Sequence, residues 1–254
     1  MMFFQVVVFL LVVVGVFVWN RYQHKFMGNY RKAQGYDELN AMLFEQTGYR
    51  HKVLRGQPLE QQVAYSEQLA QQQMKTGQLD LELVRELEGY EQTFVQLQRH
   101  SGGGVVLSAR WTLAVQQSPN VVFHIAERDM TSKKRELRTG FEREFSPVYQ
   151  SELRVYDPEL AGRFRVWGND EQSVNHILSQ QDIRATLLSL KEVDLCVFSN
   201  EVSFSDPTQE NFRAGMGGGS GMIGANPKQM VTAQSQLHQT VSGLLLRVAR
   251  SLGV

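Results

Sequence analysis

The side chains that ordinarily carry chemistry are present but not grouped. Six histidines, His24, His51, His100, His124, His176 and His238, are scattered along the chain without the paired spacing that brings two imidazoles to one metal ion. His124 interrupts Val121, Phe123 and Ile125 on the opposite face of a strand-like run, which reads as a partly solvated position rather than a ligand. Cys196 is the only cysteine, so neither a thiolate metal site nor an internal disulfide can be built. It sits in the apolar run from Val193 to Phe198 and reads as a buried, inert thiol, because a free cysteine packs as a small hydrophobe.

Ser220 lies among glycines, but a nucleophile elbow needs Gly-x-Ser-x-Gly and Met222 occupies the last position. Gly219, Gly221 and Gly224 match the spacing G-x-G-x-x-G. That loop cradles phosphate only where it leaves a buried strand and opens a helix directly. The residues before it, Asn211 to Ala214, are no such strand, and the next helix begins beyond it at Pro227. The stretch from Gly215 to Gly224 therefore reads as a flexible connector. From Arg128 onward, Lys133, Lys134, Arg135, Arg138 and Arg143 are interleaved with Asp129, Glu136, Glu142 and Glu144. Mixed signs of this kind describe a solvated face better than a phosphate or lipid site. The sequence thus assigns no catalytic residue, no metal ligand and no cofactor.

Lys+Arg and Asp+Glu both number 26, a balance that argues against a dedicated nucleic-acid binder. With 42% apolar and 20% charged residues, the chain can bury a core. The elements follow from periodicity. Tyr36 to Thr47 reads as a helix, and a second opens at Pro58 and runs to Gly77. Leu79 to Glu88 fits a strand or a helix equally. From Tyr90 the pattern becomes strands: Tyr90 to Arg99, Val105 to Gln116, Val121 to Glu127, Glu152 to Tyr156, Arg163 to Gly168, Val193 to Phe198 and Glu201 to Phe204. The second is the clearest, with Val105, Leu107, Ala109, Trp111, Leu113 and Val115 alternating against a mixed face that includes Arg110. Helices capped at Asn169–Asp170 and continuing through Ile183, Leu187 and Leu190 precede the final hairpin. A long C-terminal helix then aligns Leu237, Val241, Leu244, Leu245, Val248 and Leu252. Helices and strands segregate along the chain, as in α+β folds.

The N-terminus reads as a membrane anchor. Phe3 to Trp19 is apolar apart from Gln5 and Gly15, and seventeen residues at ~1.5 Å rise reach roughly 26 Å. A cleaved signal peptide would need a basic start and a small-residue cleavage site, and neither is found. Trp19 and Tyr22 suit the membrane interface. Arg21, Lys25, Arg31 and Lys32 follow the span and can rest on anionic headgroups. The same cations predict that the C-terminal side stays in the cytoplasm.

Leu153-Arg154-Val155-Tyr156-Asp157-Pro158-Glu159, followed by Phe164-Arg165-Val166-Trp167-Gly168-Asn169-Asp170, a helix and the leucine-rich run from Leu178 to Leu190, resembles a bacterial family. Its members are membrane-associated proteins with a domain of unknown function. The likeness spans about residues 142–204, implies a bacterial membrane setting and carries over no site residue.

The expected architecture is α+β: a single transmembrane helix followed by a largely antiparallel sheet domain with flanking helices. Residues 1–22 form the anchor, 23–88 a helical lead-in, and 89–254 the soluble domain, with a connector at 215–224 and a helix over 227–252. The expected function is a membrane-tethered, cytoplasmic interaction or scaffolding domain. Its partners would be the lipid bilayer and a further protein, without nucleic acid. The alternative is an enzyme or ligand-binding domain whose site assembles only in three dimensions.

Overall fold

The computed structural model describes residues 36–76, 78–101, 104–128, 151–206, 211 and 227–253. Its centre is one eight-stranded sheet in the order β1-β2-β3-β4-β8-β7-β5-β6, with every adjacent pair antiparallel. The strands are β1 (Arg50–His51), β2 (Leu79–Leu87), β3 (Tyr90–Ser101), β4 (Gly104–Ala114), β5 (Phe123–Glu127), β6 (Phe164–Gly168), β7 (Asp194–Phe198) and β8 (Glu201–Asp206). The helices are α1 (Tyr36–Thr47), α2 (Leu59–Thr76), α3 (Pro158–Arg163), α4 (Glu171–Ser179), α5 (Gln181–Ser189) and α6 (Pro227–Ser251).

Local chemistry explains the joints. Between β2 and β3 the chain reverses through Glu88 and Gly89, whose φ angles of 54° and 85° are those of a two-residue hairpin turn that follows the twist of its strands. Asp157 accepts hydrogen bonds from the backbone N–H groups of Glu159 and Leu160, and Pro158 starts α3 with the φ a helix needs. Asp170 caps α4 in the same way through the N–H of Ser173.

One face of the sheet is continuous and apolar. Across the register, Leu83, Phe94, Trp111, Phe204, Leu195, Ile125 and Val166 fall in one row, and all are buried. Over this face lies α6, packed on β4 and β8 and flanked by α1 and α5. Val241, Leu244, Leu245 and Val248 of α6 have no exposed surface, so the C-terminal stripe read from sequence closes the core.

Several expectations require correction. No helix among the described residues is long and apolar enough to cross a membrane. The longest, α6, has 25 residues, but Lys228, Gln229, Gln234, Gln236, Arg247 and Arg250 interrupt it, and each would enter hydrocarbon at a cost. The described residues form an antiparallel α+β sheet domain, and none of their helices supplies the expected transmembrane span. The anchor expected at 1–22, with Trp19, Arg21, Tyr22, Lys25, Arg31 and Lys32, lies outside the described residues. The stretch 23–88 is not purely helical, since it supplies β1 and β2. Glu152 to Tyr156 forms no strand, only an isolated bridge between Glu152 and Trp167. Arg110 is not on a solvated face: its side chain is 11% exposed and its guanidinium reaches Glu201 and Ser203.

Candidate functional site

Two places on the described fold gather unusual side chains. The first is a polar cluster where β2, β3 and α6 meet, its Gln92, His238 and Ser242 buried and its Arg85 half-buried. On β2 the apolar face runs Leu81, Leu83 and then Arg85, whose cross-strand partner is Gln92. The Arg85 Nε–H donates to Gln92 Oε1 at 2.8 Å. Its Nη1 donates to the carbonyl of Thr47 and its Nη2 to Ser242 Oγ, each at 2.5 Å. The Ser242 hydroxyl lies within bonding distance of both Gln92 Oε1 and the His238 carbonyl.

His238, one turn before Ser242 on α6, accepts the Trp111 indole N–H at Nδ1 across 2.8 Å. That bond puts the remaining ring proton of the neutral imidazole on Nε2. Tyr49, Phe94 and Trp111 enclose the ring. Burial, reinforced by the nearby Arg85 charge, pushes the His238 pKa down to about 3. The guanidinium of Arg85 stands 4.5 Å above the Tyr49 ring, a cation–π arrangement. Burial pushes the Tyr49 phenol up to about 12, although Arg85 and Ser242 beside it pull the other way. Among the described residues the Tyr49 hydroxyl makes no well-formed hydrogen bond, although Arg85 and Ser242 lie beside it, and Gln92 Nε2 has no partner. Next to the cluster a cleft of about 30 Å³, lined by Phe94, Trp111, Asp206 and His238 among others, has room for a water molecule.

The second place is a groove of about 410 Å³ between α2 and the β1–β3 end of the sheet, lined by Tyr65, Leu69, Leu81, Val95 and Leu97 with His51 and Val53. Val53 is 71% exposed. His51 is buried, hydrogen-bonds Ser66 Oγ at 2.8 Å, and burial pushes its pKa down to about 4.

The remaining sequence candidates are scattered or structural. His124 Nε2 pairs with Asp194 at 2.7 Å, and its ring stacks on Trp167. Cys196 sits directly across from His124 in the register and is buried. Asp157 and Asp170 are helix caps, and His176 is exposed on α4. The connector at 215–224 and the charged stretch from 129 to 143 lie outside the described residues. Among the described residues no group of three or more His, Cys, Asp and Glu is placed to hold a metal ion.

Sequence reading missed the buried cluster because its members come from four distant segments. Ser242 and Gln92, for example, are 150 positions apart. Two signals were present. Arg85 falls in register with Leu81, Leu83 and Leu87 on an apolar face, and His238 and Ser242 are four apart on the buried side of α6.

No protein-family model matches the chain, and no curated protein matches it. Among solved structures, the mycobacterial trehalose monomycolate transport factor A, TtfA, aligns with a TM-score of 0.40 at 9% identity, covering 81% of this chain and 96% of that one. A likeness of that size carries no argument about function.

Proposed function

We propose that this domain is an interaction module that binds a segment of another protein in the groove between α2 and the β1–β3 end of the sheet. The observation that carries the reading is the groove's apolar lining, Tyr65, Leu69, Leu81, Val95 and Leu97, beside the exposed Val53. A concave apolar surface of this kind gains free energy when a partner's side chains displace its water.

Charge defines the partner further. Asp80, Glu82, Glu86 and Glu91 surround this end of the sheet, while Lys52 and Arg55 pair with Glu82 and Glu91 at 2.7 and 2.6 Å. All four paired side chains are at least 44% exposed, so these bonds are screened and exchange readily with outside cations. The acidic excess suits a segment that combines apolar side chains with lysine or arginine.

A photo-crosslinking residue at Val53 tests this in the host cell, with the same residue at exposed His176 on α4 as the control. The expected result is one discrete adduct from position 53 only. It should map on the partner to an apolar segment bearing Lys or Arg, and Leu69→Asp should abolish it. Equal labelling from both positions, an adduct with a second copy of this chain, or one on an acidic segment would overturn the proposal.

A further inference from the structure

The groove between α2 and the sheet reaches round the outer edge of β2. Its lining takes in three consecutive residues of that strand, Asp80, Leu81 and Glu82, together with His51 and Val53. Successive side chains of a strand point to opposite faces. A cavity that meets all three therefore lies at the edge of the strand and not on one face of the sheet.

The backbone at that edge is only partly used. β2 pairs with β3 along its whole length, but β1 accompanies its other side at two positions, Arg50 opposite Val84 and His51 opposite Leu83. Beyond His51 the chain leaves as a 3₁₀ turn, Lys52–Leu54, and no described strand pairs with Glu82 on that side. The direction of the backbone groups follows from the hairpin. Leu87 and Tyr90 close a two-residue turn, and such a pair exchanges both of its hydrogen bonds. The alternate residues Glu86, Val84 and Glu82 then turn N–H and C=O toward the β1 edge. The His51 N–H agrees with this phase, since it points away from β2 and donates to Gln62 Oε1 at 2.8 Å. Glu82 thus presents its backbone to the groove, and a sheet edge of this kind is a template for another strand.

We propose that the partner segment docks in extended form, as a short strand that continues the line of β1 and runs antiparallel to β2; this rests on the groove being the docking site. Backbone pairing with the edge supplies affinity, and alternate side chains supply specificity. Side chains of the added strand that share the face of Glu82 and Asp80 meet carboxylates and suit Lys or Arg. Those between them stand beside Leu81 and suit aliphatic residues. Lys52, the first residue past β1, already pairs with Glu82 at 2.7 Å and shows the charge this position takes. The segment recognised therefore alternates basic and apolar residues, in contrast to the spacing of an amphipathic helix.

The probe is a short, end-blocked peptide of alternating lysine and valine carrying a fluorophore, titrated by anisotropy into the full 254-residue chain. It should bind, and Leu69→Asp should remove binding. Two isomers of the peptide carry N-methyl groups on the lysine amides or on the valine amides. A residue opposite Glu82 in an antiparallel pair aims its N–H at β2. Methylation at lysine should therefore weaken binding about tenfold, the loss of one or two hydrogen bonds, and methylation at valine by less than about twofold. Equal effects of the two isomers, or none from either, would overturn the extended mode while leaving the groove as the docking site. Failure of the parent peptide to bind would also overturn it, and crosslinking from position 53 then judges the groove by itself.

Discussion

The Trp111 indole N–H donates to His238 Nδ1 across 2.8 Å, joining the middle of β4 to α6 inside the core. Trp111 is 2% exposed and His238 equally buried, so the indole N–H and the imidazole Nδ1 satisfy each other away from water. Trp111→Phe should cost on the order of 1–3 kcal/mol, because it strands a buried acceptor. Trp111→Ala should cost ~3–5 kcal/mol through the cavity it leaves. Urea denaturation of the two variants checks the order.

The same histidine gives the fold an acid sensitivity. His238 has a folded pKa of about 3 and His51 of about 4, both below the ordinary value of 6.5. Between those limits the unfolded chain binds protons that the folded chain refuses. Their stabilising effect is complete above about pH 6.5 and declines as pH falls toward 4 and then 3. Asp157 and Asp170, held below the ordinary 3.8 by their hydrogen bonds, keep their full contribution above that value and lose it as pH falls below it. Chemical denaturation from pH 7 to 4 should show falling stability. His238→Asn, which keeps an acceptor near the Nδ1 position, should flatten that slope.

Much of this fold was legible in the sequence, and the reasons are local. Val105 to Val115 alternates cleanly because β4 lies between two strands with one face under α6. The stripe of α6 was plain because 3.6-residue periodicity survives over many turns. Leu79 to Glu88 was ambiguous because Arg85 breaks the apolar face where it enters the polar cluster. The short α3 was missed although Asp157-Pro158 is a strong helix start; its six residues are too few for periodicity to register. The burial of Arg110 on the mixed face of β4 was not legible, because alternation reveals that two faces differ, not whether the second is open. The groove and the Arg85 cluster were invisible because each is made by strand order, which the sequence does not state.

Asp157 does two things at once, capping α3 and bonding Arg184 Nε at 2.7 Å. Asp157→Ala should therefore cost ~1–2 kcal/mol, in the range of a lost N-cap. Glu159, which meets the same arginine, has a side chain 62% exposed. Glu159→Ala should change stability by less than ~0.5 kcal/mol. Similar losses for the two would assign the effect to the ion pair rather than to the cap, and thermal melts at low and high salt would separate them.

Gly168 ends β6 where it pairs with Phe123 of β5, and the fold leaves no room for a side chain there. A Cβ at this position would lie 2.8 Å from the carbonyl oxygen of Val122, 3.0 Å from Leu153 Cδ1 and 3.1 Å from Phe123 Cβ. The leucine methyl can turn aside, but the Val122 carbonyl cannot. It already accepts the Asn169 N–H at 3.2 Å, and the Val122 N–H is fixed by Asn169 Oδ1 at 2.9 Å. Relief of the clash must pull β6 away from β5 or break these bonds. Gly168→Ala should therefore destabilise by ~1–3 kcal/mol, as overpacking of a filled interior does. Amide exchange should localise the damage to β5, β6 and the start of α4, with the β2–β3 hairpin unaffected. A variant as stable as the parent, or one loosened evenly throughout, would show that the edge of the sheet yields more easily than this packing implies.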